Sequence, residues 1–388
     1  MNIIFNTLAG HSFVTNVNPP WYYPTGYYAF QIGSYLHNLR PDSTFFSDDP
    51  DTSNIIEISM STHDELDKFI PWYNEIPLHI QHIVSRKKWL FSVGLEPTTT
   101  PMYTRIERIA SELNIPLSNI AVFSSNASPN LQTYTKLTVI TTTTAYMQWH
   151  CRKWFDHQTV MAATTSQSWK PFIMLIAKPR PHRIEFLNNF ANSGLLSDTH
   201  ATLGSHTFQF AGFKCSGAIE YADYVDMCVE YKLKPNPTLV QYLPFHTDGV
   251  NVQFNWSSIA GTEIVNESFG NSYITSFGDS ECGLDSEYFS PTEKTWRPIH
   301  TNMPFVLNTT TKAVEMLSSL GYYQFEDEYE IGDMDSTLKF LERLKQIPRH
   351  EMAHFKKTQR LKNQQLFDYH STNDYDDIHT QLTNWISK

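Results

Sequence analysis

Hydrophobic residues in the first half of the chain cluster into short apolar runs that alternate with segments of helical periodicity. The apolar runs predict buried strands at 55–60, 88–95 and 119–124. The intervening segments predict helices at 64–70, 76–85 and 103–113. Because short apolar strands that alternate with helices are typical of a parallel sheet, this half predicts a Rossmann-like α/β lobe.

The second half of the chain shows the same alternation. Apolar runs predict strands at 171–177, 272–277 and 304–307. Amphipathic periodicity predicts helices at 184–193, 292–300 and 312–320. Gly194 and Gly321 follow two of these helices and predict their ends, since glycine readily adopts the left-handed conformation found there. The charged segment 335–366 is predicted to be helical, and Trp385 near the C-terminus indicates a final helix that docks.

The small polar residues at 159–170 predict a linker between the two halves. We therefore expect a first Rossmann-like lobe at 1–165, a second at 166–345 and C-terminal helices at 346–388 that pack back toward the first lobe. The predicted fold class is α/β, with two Rossmann-like lobes, an interlobe cleft and a helical return. Open α/β sheets bind ligands at the carboxyl ends of their strands, so a ligand is expected in that cleft.

Composition narrows the classes of protein that fit this pattern. With 388 residues and 40% hydrophobic residues, the chain has the material for packed cores, which excludes general disorder. No apolar run is long enough for a membrane span, and the N-terminus lacks the pattern of a secretory signal, so a cytoplasmic protein is expected. Its net charge of -11 disfavours broad nucleic-acid binding, although a local basic cleft stays possible. The four cysteines form no C-x-x-C pair and predict neither a disulfide scaffold nor a zinc site.

The first candidate site is a basic loop between a predicted strand and a predicted helix. It carries Lys178, Arg180, His182 and Arg183. Basic side chains beside a helix N-terminus form an anion site, because the free amides and the helix dipole also favour negative charge. A solvated turn whose charges only keep the loop soluble is the alternative interpretation.

The second candidate is the predicted helix start in the segment SPTEKTWRP. Ser290 and Glu293 have the spacing of a capping box, which gives Glu293 a structural role. Its functional interpretation is that Glu293 accepts hydrogen bonds from a ribose diol while Lys294 neutralises a diphosphate. Both roles are compatible at one helix start.

The third candidate is Glu96, which directly follows a predicted strand and precedes Pro97. A carboxylate at the carboxyl end of a strand, facing a cleft, is placed to deprotonate an acceptor hydroxyl. A turn glutamate without a catalytic role is the alternative.

The segments KPFIMLIAKPRPHRIEFLNNFANSGLL and SPTEKTWRPIHTNMPFVLNTTTKAVEMLSSLGYYQF resemble the C-terminal lobe of phage and bacterial glycosyltransferases with two Rossmann-like lobes. They are distantly similar to the family ten fucosyltransferases. The resemblance implies that Arg183 and Lys294 bind the donor diphosphate and that Glu293 binds the ribose. It also implies that Glu96 occupies the position of the catalytic base. Spacing and the pair Trp296-Arg297 depart from the fucosyltransferases, so the resemblance implies neither the sugar nor the nucleotide base.

The resulting hypothesis is a metal-independent hexosyl- or pentosyltransferase, with a nucleotide-diphosphate sugar as co-substrate and no other cofactor. Its acceptor is either a glycan or a hydroxymethylated base in phage DNA, and the protein is expected in the cytoplasm, that of the bacterial host if phage-encoded. Glu96 acts as base if the reaction inverts; a retaining reaction requires no such base.

Two alternatives belong to other classes. His350, Glu351 and His354 match the H-E-x-x-H pattern of zinc hydrolases, although their flanking residues are charged where such a helix is usually buried. A catalytically inactive, glycosyltransferase-like binding protein is the other.

Overall fold

A computed structural model gives the architecture of the chain. It describes residues 3–6, 36, 44–46, 51–60, 65–93, 100–124, 135–141, 169–176, 181–203, 221–243, 260–266, 293–309 and 311–388. These residues form two compact units. The first unit contains the described residues up to 141 together with 370–388, and the second contains those from 169 to 369.

The first unit is built on a parallel sheet. Its strands in the described part of the chain are β1 (Ile3–Asn6), β2 (Thr44–Phe46), β3 (Ile55–Met60), β4 (Lys88–Val93), β5 (Ile120–Ser124) and β6 (Thr138–Thr141). They lie in the order β2-β1-β3-β4-β5-β6, and every pair is parallel. Among the residues with described helix bounds, the helices that follow strands of this sheet are α1 (Glu65–Glu75), α2 (Leu78–Val84) and α3 (Thr100–Glu112).

One face of the first sheet forms an aromatic core with these helices. Phe69 of α1 lies edge-on to Trp89 and to Phe91 of β4, with ring centroids 5.9 Å and 5.6 Å apart. All three rings are buried, and burying each stabilises the fold by about 1.5–3 kcal/mol. Because Trp89 and Phe91 are two residues apart, they point to the same face of the strand. This apolar pairing holds α1 against the sheet.

The second unit is built on a second parallel sheet. Its strands among the described residues are β7 (Lys170–Ile176), β8 (Thr199–Leu203), β9 (Ala260–Asn266) and β10 (Phe305–Asn308), in the order β10-β9-β7-β8. All three strand pairs are parallel. In the described part of this unit up to residue 319, the helices are α4 (Pro181–Asn192), α5 (Tyr221–Glu230), α6 (Pro237–Val240), α7 (Glu293–His300) and α8 (Thr311–Ser319).

The central strand β9 is closely packed along its length. Residues 260–265 are all buried, as expected for a strand of a parallel sheet covered on both faces. A Cβ added to Gly261 would lie 3.2 Å from the carbonyl oxygen of Pro171 and 3.0 Å from Met352 Cγ. Glycine is therefore needed at this position for the neighbouring backbone to approach.

The chain ends in three helices, α9 (Met334–Lys345), α10 (Arg349–Met352) and α11 (Lys357–Ile386). The first part of α11 packs on the second unit, where Phe367 contacts Trp296 with centroids 6.2 Å apart. The last part belongs to the first unit, where Gln381 exchanges hydrogen bonds with the backbone of Thr141 and Trp385 Nε1 donates to the carbonyl of Ser118 over 3.2 Å. Within the described residues, none of the helices is long and apolar enough to cross a membrane.

The predicted pair of parallel α/β lobes followed by C-terminal helices is confirmed. The strands predicted at 55–60, 88–95, 119–124, 171–177 and 304–307 are present within two residues of their predicted bounds. Gly194 and Gly321 have φ of +79° and +86°, so both helix ends are confirmed. The strand predicted at 272–277 and most of the predicted linker lie outside the described residues.

Some secondary-structure predictions differ from the structure. The helix predicted at 184–193 begins at Pro181, so His182 and Arg183 of the predicted basic loop lie in its first turn. The predicted helix at 335–366 is broken, first at Pro348, which precedes α10, and again at Lys356, whose φ is +49°. Proline lacks an amide hydrogen and disfavours a helical residue before it, so the first break has a local cause. Five strands escaped prediction: β1, β2, β6, β8 and β9.

Candidate functional site

The carboxyl edge of the second sheet gathers the N-termini of two helices. Helix α4 connects β7 to β8, and α7 lies between β9 and β10 in the chain. Because the strands they join are parallel, each connecting helix runs back across the sheet, and its first turn lies at the carboxyl edge. Strands β7 and β9 are neighbours, so both helix starts follow the two central strands.

This topology brings three predicted site residues to one edge. Arg183 is the third residue of α4, and Glu293 and Lys294 are the first two residues of α7. Glu293 and Lys294 are placed here by their helical backbone. Residues that lie more than one hundred positions apart in the chain thus share the end of the sheet where open α/β folds bind ligands.

Arg183 lies in the first turn of α4. Its side chain is half-buried, and its Nε atom is shielded from solvent. The first turn of α4 contains no acidic residue. A cation at this end of a helix is opposed by the helix dipole, whereas an anion is favoured by both the dipole and the guanidinium.

Of the other predicted site residues, His182 is the second residue of α4, and the rest lie outside the described part of the chain. These are Lys178 and Arg180 of the basic loop, Glu96 of the first unit, and Ser290 of the predicted capping box.

Polar residues at the end of β10 join the same edge and escaped prediction. Asn308 ends β10 opposite Asn266 of β9, and Thr309 follows it. The Thr309 hydroxyl is buried and has no hydrogen-bond partner among the residues that the structure describes. A signal was present in the sequence, because Asn308 and Thr309 directly follow an apolar strand. Their hydroxyl and amide groups suit recognition of a polar ligand.

A buried ion pair anchors helix α7 to the central strand. Arg297 Nε donates to Glu263 Oε2 over 3.1 Å, and a second guanidinium nitrogen donates to Glu263 Oε1. The two side chains are only 6% and 2% exposed. On another side of the helix, Trp296 packs against Tyr322 with centroids 5.4 Å apart. Residues 295–299 are buried without exception, so α7 is enclosed in the unit.

A buried carboxylate in the first unit also escaped prediction. Glu57 of β3 is 1% exposed, and the hydroxyl of Ser92 on β4 donates to its Oε1 over 3.4 Å. Both residues point away from the aromatic core, because Ile56 and Phe91, their neighbours in the chain, point into it. A glutamate between the isoleucines of this strand was the available signal.

The H-E-x-x-H string does not have the geometry of a zinc-hydrolase helix. Helix α10 covers only Arg349–Met352, and His354 lies in the turn that follows. His350 and Glu351 are 81% and 61% exposed, and they approach each other at 3.7 Å. No group of three or more histidine, cysteine, aspartate or glutamate residues in the described ranges is arranged to hold a metal ion. The zinc-hydrolase alternative is not favoured.

Comparisons with known proteins give similarities of fold. Neither a protein family nor a curated protein matches the chain. An α,α-trehalose-phosphate synthase (UDP-forming) from Burkholderia vietnamiensis is 8% identical, with 95% of this chain and 86% of that chain covered and a TM-score of 0.40. The corresponding Burkholderia xenovorans enzyme, in complex with glucose-6-phosphate, is 11% identical, with coverages of 94% and 78% and a TM-score of 0.40. A glycosyltransferase of kitacinnamycin is 9% identical, with 98% of both chains covered and a TM-score of 0.34. At these values the likeness does not by itself assign an activity.

Proposed function

We propose that this protein is a glycosyltransferase that takes a sugar from a nucleotide-diphosphate donor bound at the carboxyl edge of the second sheet. What supports the proposal is that α4 and α7 both start at that edge, with Arg183 in the first turn of one helix and Glu293 and Lys294 in the first turn of the other. A diphosphate is the ligand whose charge matches two basic residues at two helix N-termini.

Each residue has a role in this proposal. Arg183 and Lys294 bind the diphosphate and stabilise the negative charge that develops as it leaves, the interaction that usually contributes most to such catalysis. Lys178 and Arg180 of the preceding loop add to the positive field. Glu293 accepts hydrogen bonds from the ribose diol. Because the basic residues supply the charge that a divalent ion would otherwise supply, transfer is metal-independent.

The transfer step moves the sugar to an acceptor hydroxyl. The hydroxyl oxygen attacks the anomeric carbon, the bond from that carbon to the diphosphate oxygen breaks, and the nucleoside diphosphate leaves with the electron pair. In an inverting reaction Glu96 takes the hydroxyl proton. The acceptor is a glycan or a hydroxymethylated base in DNA, bound by the lobe at 1–165, and the donor is bound by the lobe at 166–345. We place the reaction in the cytoplasm, which supplies nucleotide sugars.

Calorimetry with nucleoside diphosphates and their sugars tests the donor site. Arg183→Ala and Lys294→Ala should each weaken donor binding by about 1.5–3 kcal/mol, the contribution of a hydrogen bond to a charged group. Matched controls are Arg108→Ala on α3 and Lys339→Ala on α9, which remove the same charges from exposed positions. Donor affinity in the controls should stay at the wild-type value. Wild-type affinity in both site variants would reject the assigned site.

Transfer assays in EDTA test the chemistry. Transfer should continue after chelation. Loss of activity with rescue by zinc would instead restore His350 and His354 as candidate ligands. Donor binding without transfer or donor hydrolysis would identify a binding protein.

A further inference from the structure

Helix α7 cannot fix its own orientation. It has eight residues and contains Pro298. Because proline has no amide hydrogen, the carbonyl of Lys294 lacks its usual partner within the helix. Two turns of helix with an incomplete hydrogen-bond ladder are not stable by themselves, so tertiary contacts must hold them.

The Glu263–Arg297 pair is the directional member of those contacts. Apolar contacts such as that of Trp296 tolerate small rotations, whereas a guanidinium that binds both oxygens of one carboxylate requires a defined orientation. Successive residues of an α-helix are rotated by about 100°. A slip of one residue along the helix would therefore turn Arg297 away from Glu263.

Glu263 is a rigid reference point for this contact. It lies in the middle of β9, paired with Ile173 of β7 on one side and Phe305 of β10 on the other. Its amide donates to the carbonyl of Pro304 over 2.9 Å. Its backbone is thus bonded within the sheet, and its carboxylate is held at one place beneath α7.

A contribution to the stability of the unit does not explain why a buried ion pair occupies this position. Moving two charges out of water is costly, and a well-packed apolar pair of the same size is often as stable or more stable. What an apolar pair lacks is the two-bond geometry. We propose that the Glu263–Arg297 pair is a positioning device that fixes the rotation of α7 and thereby holds Glu293 and Lys294 in place for the donor. This inference rests on the proposed function, and both residues are positioning residues.

The decisive variant is the double substitution Glu263→Met with Arg297→Met. It fills a similar volume with apolar side chains and removes the two hydrogen bonds between the guanidinium and the carboxylate. Affinity for UDP and GDP is measured by calorimetry. We expect the variant to fold and the affinity of whichever nucleotide binds the wild type to fall on the order of 10- to 100-fold, the effect of misplaced binding groups. Arg297→Lys, which keeps the charge but not the planar fork, should lose affinity as well.

A matched control separates positioning from general destabilisation. Tyr224→Phe removes a buried hydroxyl of α5 that donates to Asn188 and accepts from the amide of Asn236. It weakens the same unit without contacting α7, so donor affinity should be unchanged. Equal nucleotide affinity in the double methionine variant and the wild type would overturn the positioning role and leave the proposed function standing.

Hydrogen exchange provides a readout that does not depend on any ligand. Amides in residues 293–300 should exchange faster in the double methionine variant than in the wild type, with no such change in Tyr224→Phe. If the wild type binds neither UDP nor GDP, neither of them is the nucleotide of the donor. Hydrogen exchange of the α7 amides then decides by itself the role of the Glu263–Arg297 pair. Unchanged exchange in α7 would then refute it.

Discussion

Replacing Arg360 tests the forces that hold the C-terminal helices. The replacement removes the cost of burying a charge, which should stabilise the fold, and three hydrogen bonds, whose loss should destabilise it. Arg360 lies on the first turn of α11, and the residue is 5% exposed. Its Nε donates to the carbonyl of Phe355 over 2.8 Å, and a terminal nitrogen donates to that of Ala353 over 2.7 Å. The other terminal nitrogen donates to the carbonyl of Asn302. No carboxylate among the described residues forms an ion pair with it.

The expected change in the free energy of unfolding follows from these contacts. Burial lowers the pKa of Arg360 from its ordinary value to about 10, which corresponds to a cost of about 3 kcal/mol for holding the charged form. Hydrogen bonds from a charged group contribute about 1.5–3 kcal/mol each, and Arg360 makes three. Arg360→Met removes the cost and the bonds together. We expect the bonds to dominate, with a free energy of unfolding lower by about 2–4 kcal/mol.

Urea-induced unfolding at neutral pH, followed by circular dichroism, measures this difference. The matched control is Lys362→Met, which removes a charge from an exposed position two residues along the same helix and should change stability by less than about 0.5 kcal/mol. Arg360→Lys should recover only part of the loss, because an ammonium group cannot reproduce the planar fork. If Arg360→Met is as stable as the wild type or more so, water must satisfy the three carbonyls and desolvation outweighs the hydrogen bonds.

Three further predictions address other parts of the chain. Trp385→Ala should lower the stability of the first unit by about 3–5 kcal/mol in urea unfolding, because Trp385 is buried and bonded to Ser118; a loss below about 1 kcal/mol would show that this end of α11 contributes little. Burial raises the pKa of Tyr329 above its usual value of 10, so its contribution to stability is complete below pH 10 and is lost as the pH rises further. Urea midpoints from about pH 8 to about pH 11 should therefore fall less steeply in Tyr329→Phe than in the wild type, and equal slopes would contradict this. Glu96→Gln should reduce transfer by about 10²–10⁴-fold with unchanged donor affinity, whereas near-normal transfer would leave a retaining mechanism or another carboxylate such as Glu57.

The strands and helices that could be predicted are those with local causes. The runs at 88–95 and 171–177 are apolar over a length that suits a buried strand, and turn-forming residues bound them. Gly194 and Gly321 end their helices because glycine adopts positive φ without steric cost. In each case the physical cause lies within a few residues of the element.

The central strand β9 could not be predicted for the opposite reason. Its sequence, AGTEIVN, contains glycine, threonine and glutamate, which do not indicate a fully buried strand. Glu263 is tolerated there because Arg297 arrives from a helix thirty-four residues away. Gly261 is favourable because the carbonyl of Pro171 and the side chain of Met352 need its space. Both conditions are set by distant parts of the chain.

The break in the helix at Lys356 also depends on contacts with other parts of the chain. The Nζ atom of Lys356 lies 2.7 Å from a carboxylate oxygen of Asp327 and 2.7 Å from one of Glu328, and Arg360 binds the carbonyls of the turn before it. These contacts stabilise a left-handed residue within a sequence of strong helix formers. They separate the H-E-x-x-H string from the long helix, which its sequence could not indicate.

By itself the sequence predicted the start of α7 to within one residue, whereas it placed Arg183 in the loop before α4, which in the structure begins at Pro181. The apolar strand before Arg183 and the helix-start pattern at Glu293 and Lys294 are local features. Only the strand order β10-β9-β7-β8 decided that these helix starts lie at the same edge after neighbouring strands, because it places β7 beside β9 and both strands are parallel. Strand order depends on the pairing of segments about ninety residues apart. That pairing is a property of the folded sheet and leaves no periodicity in the chain.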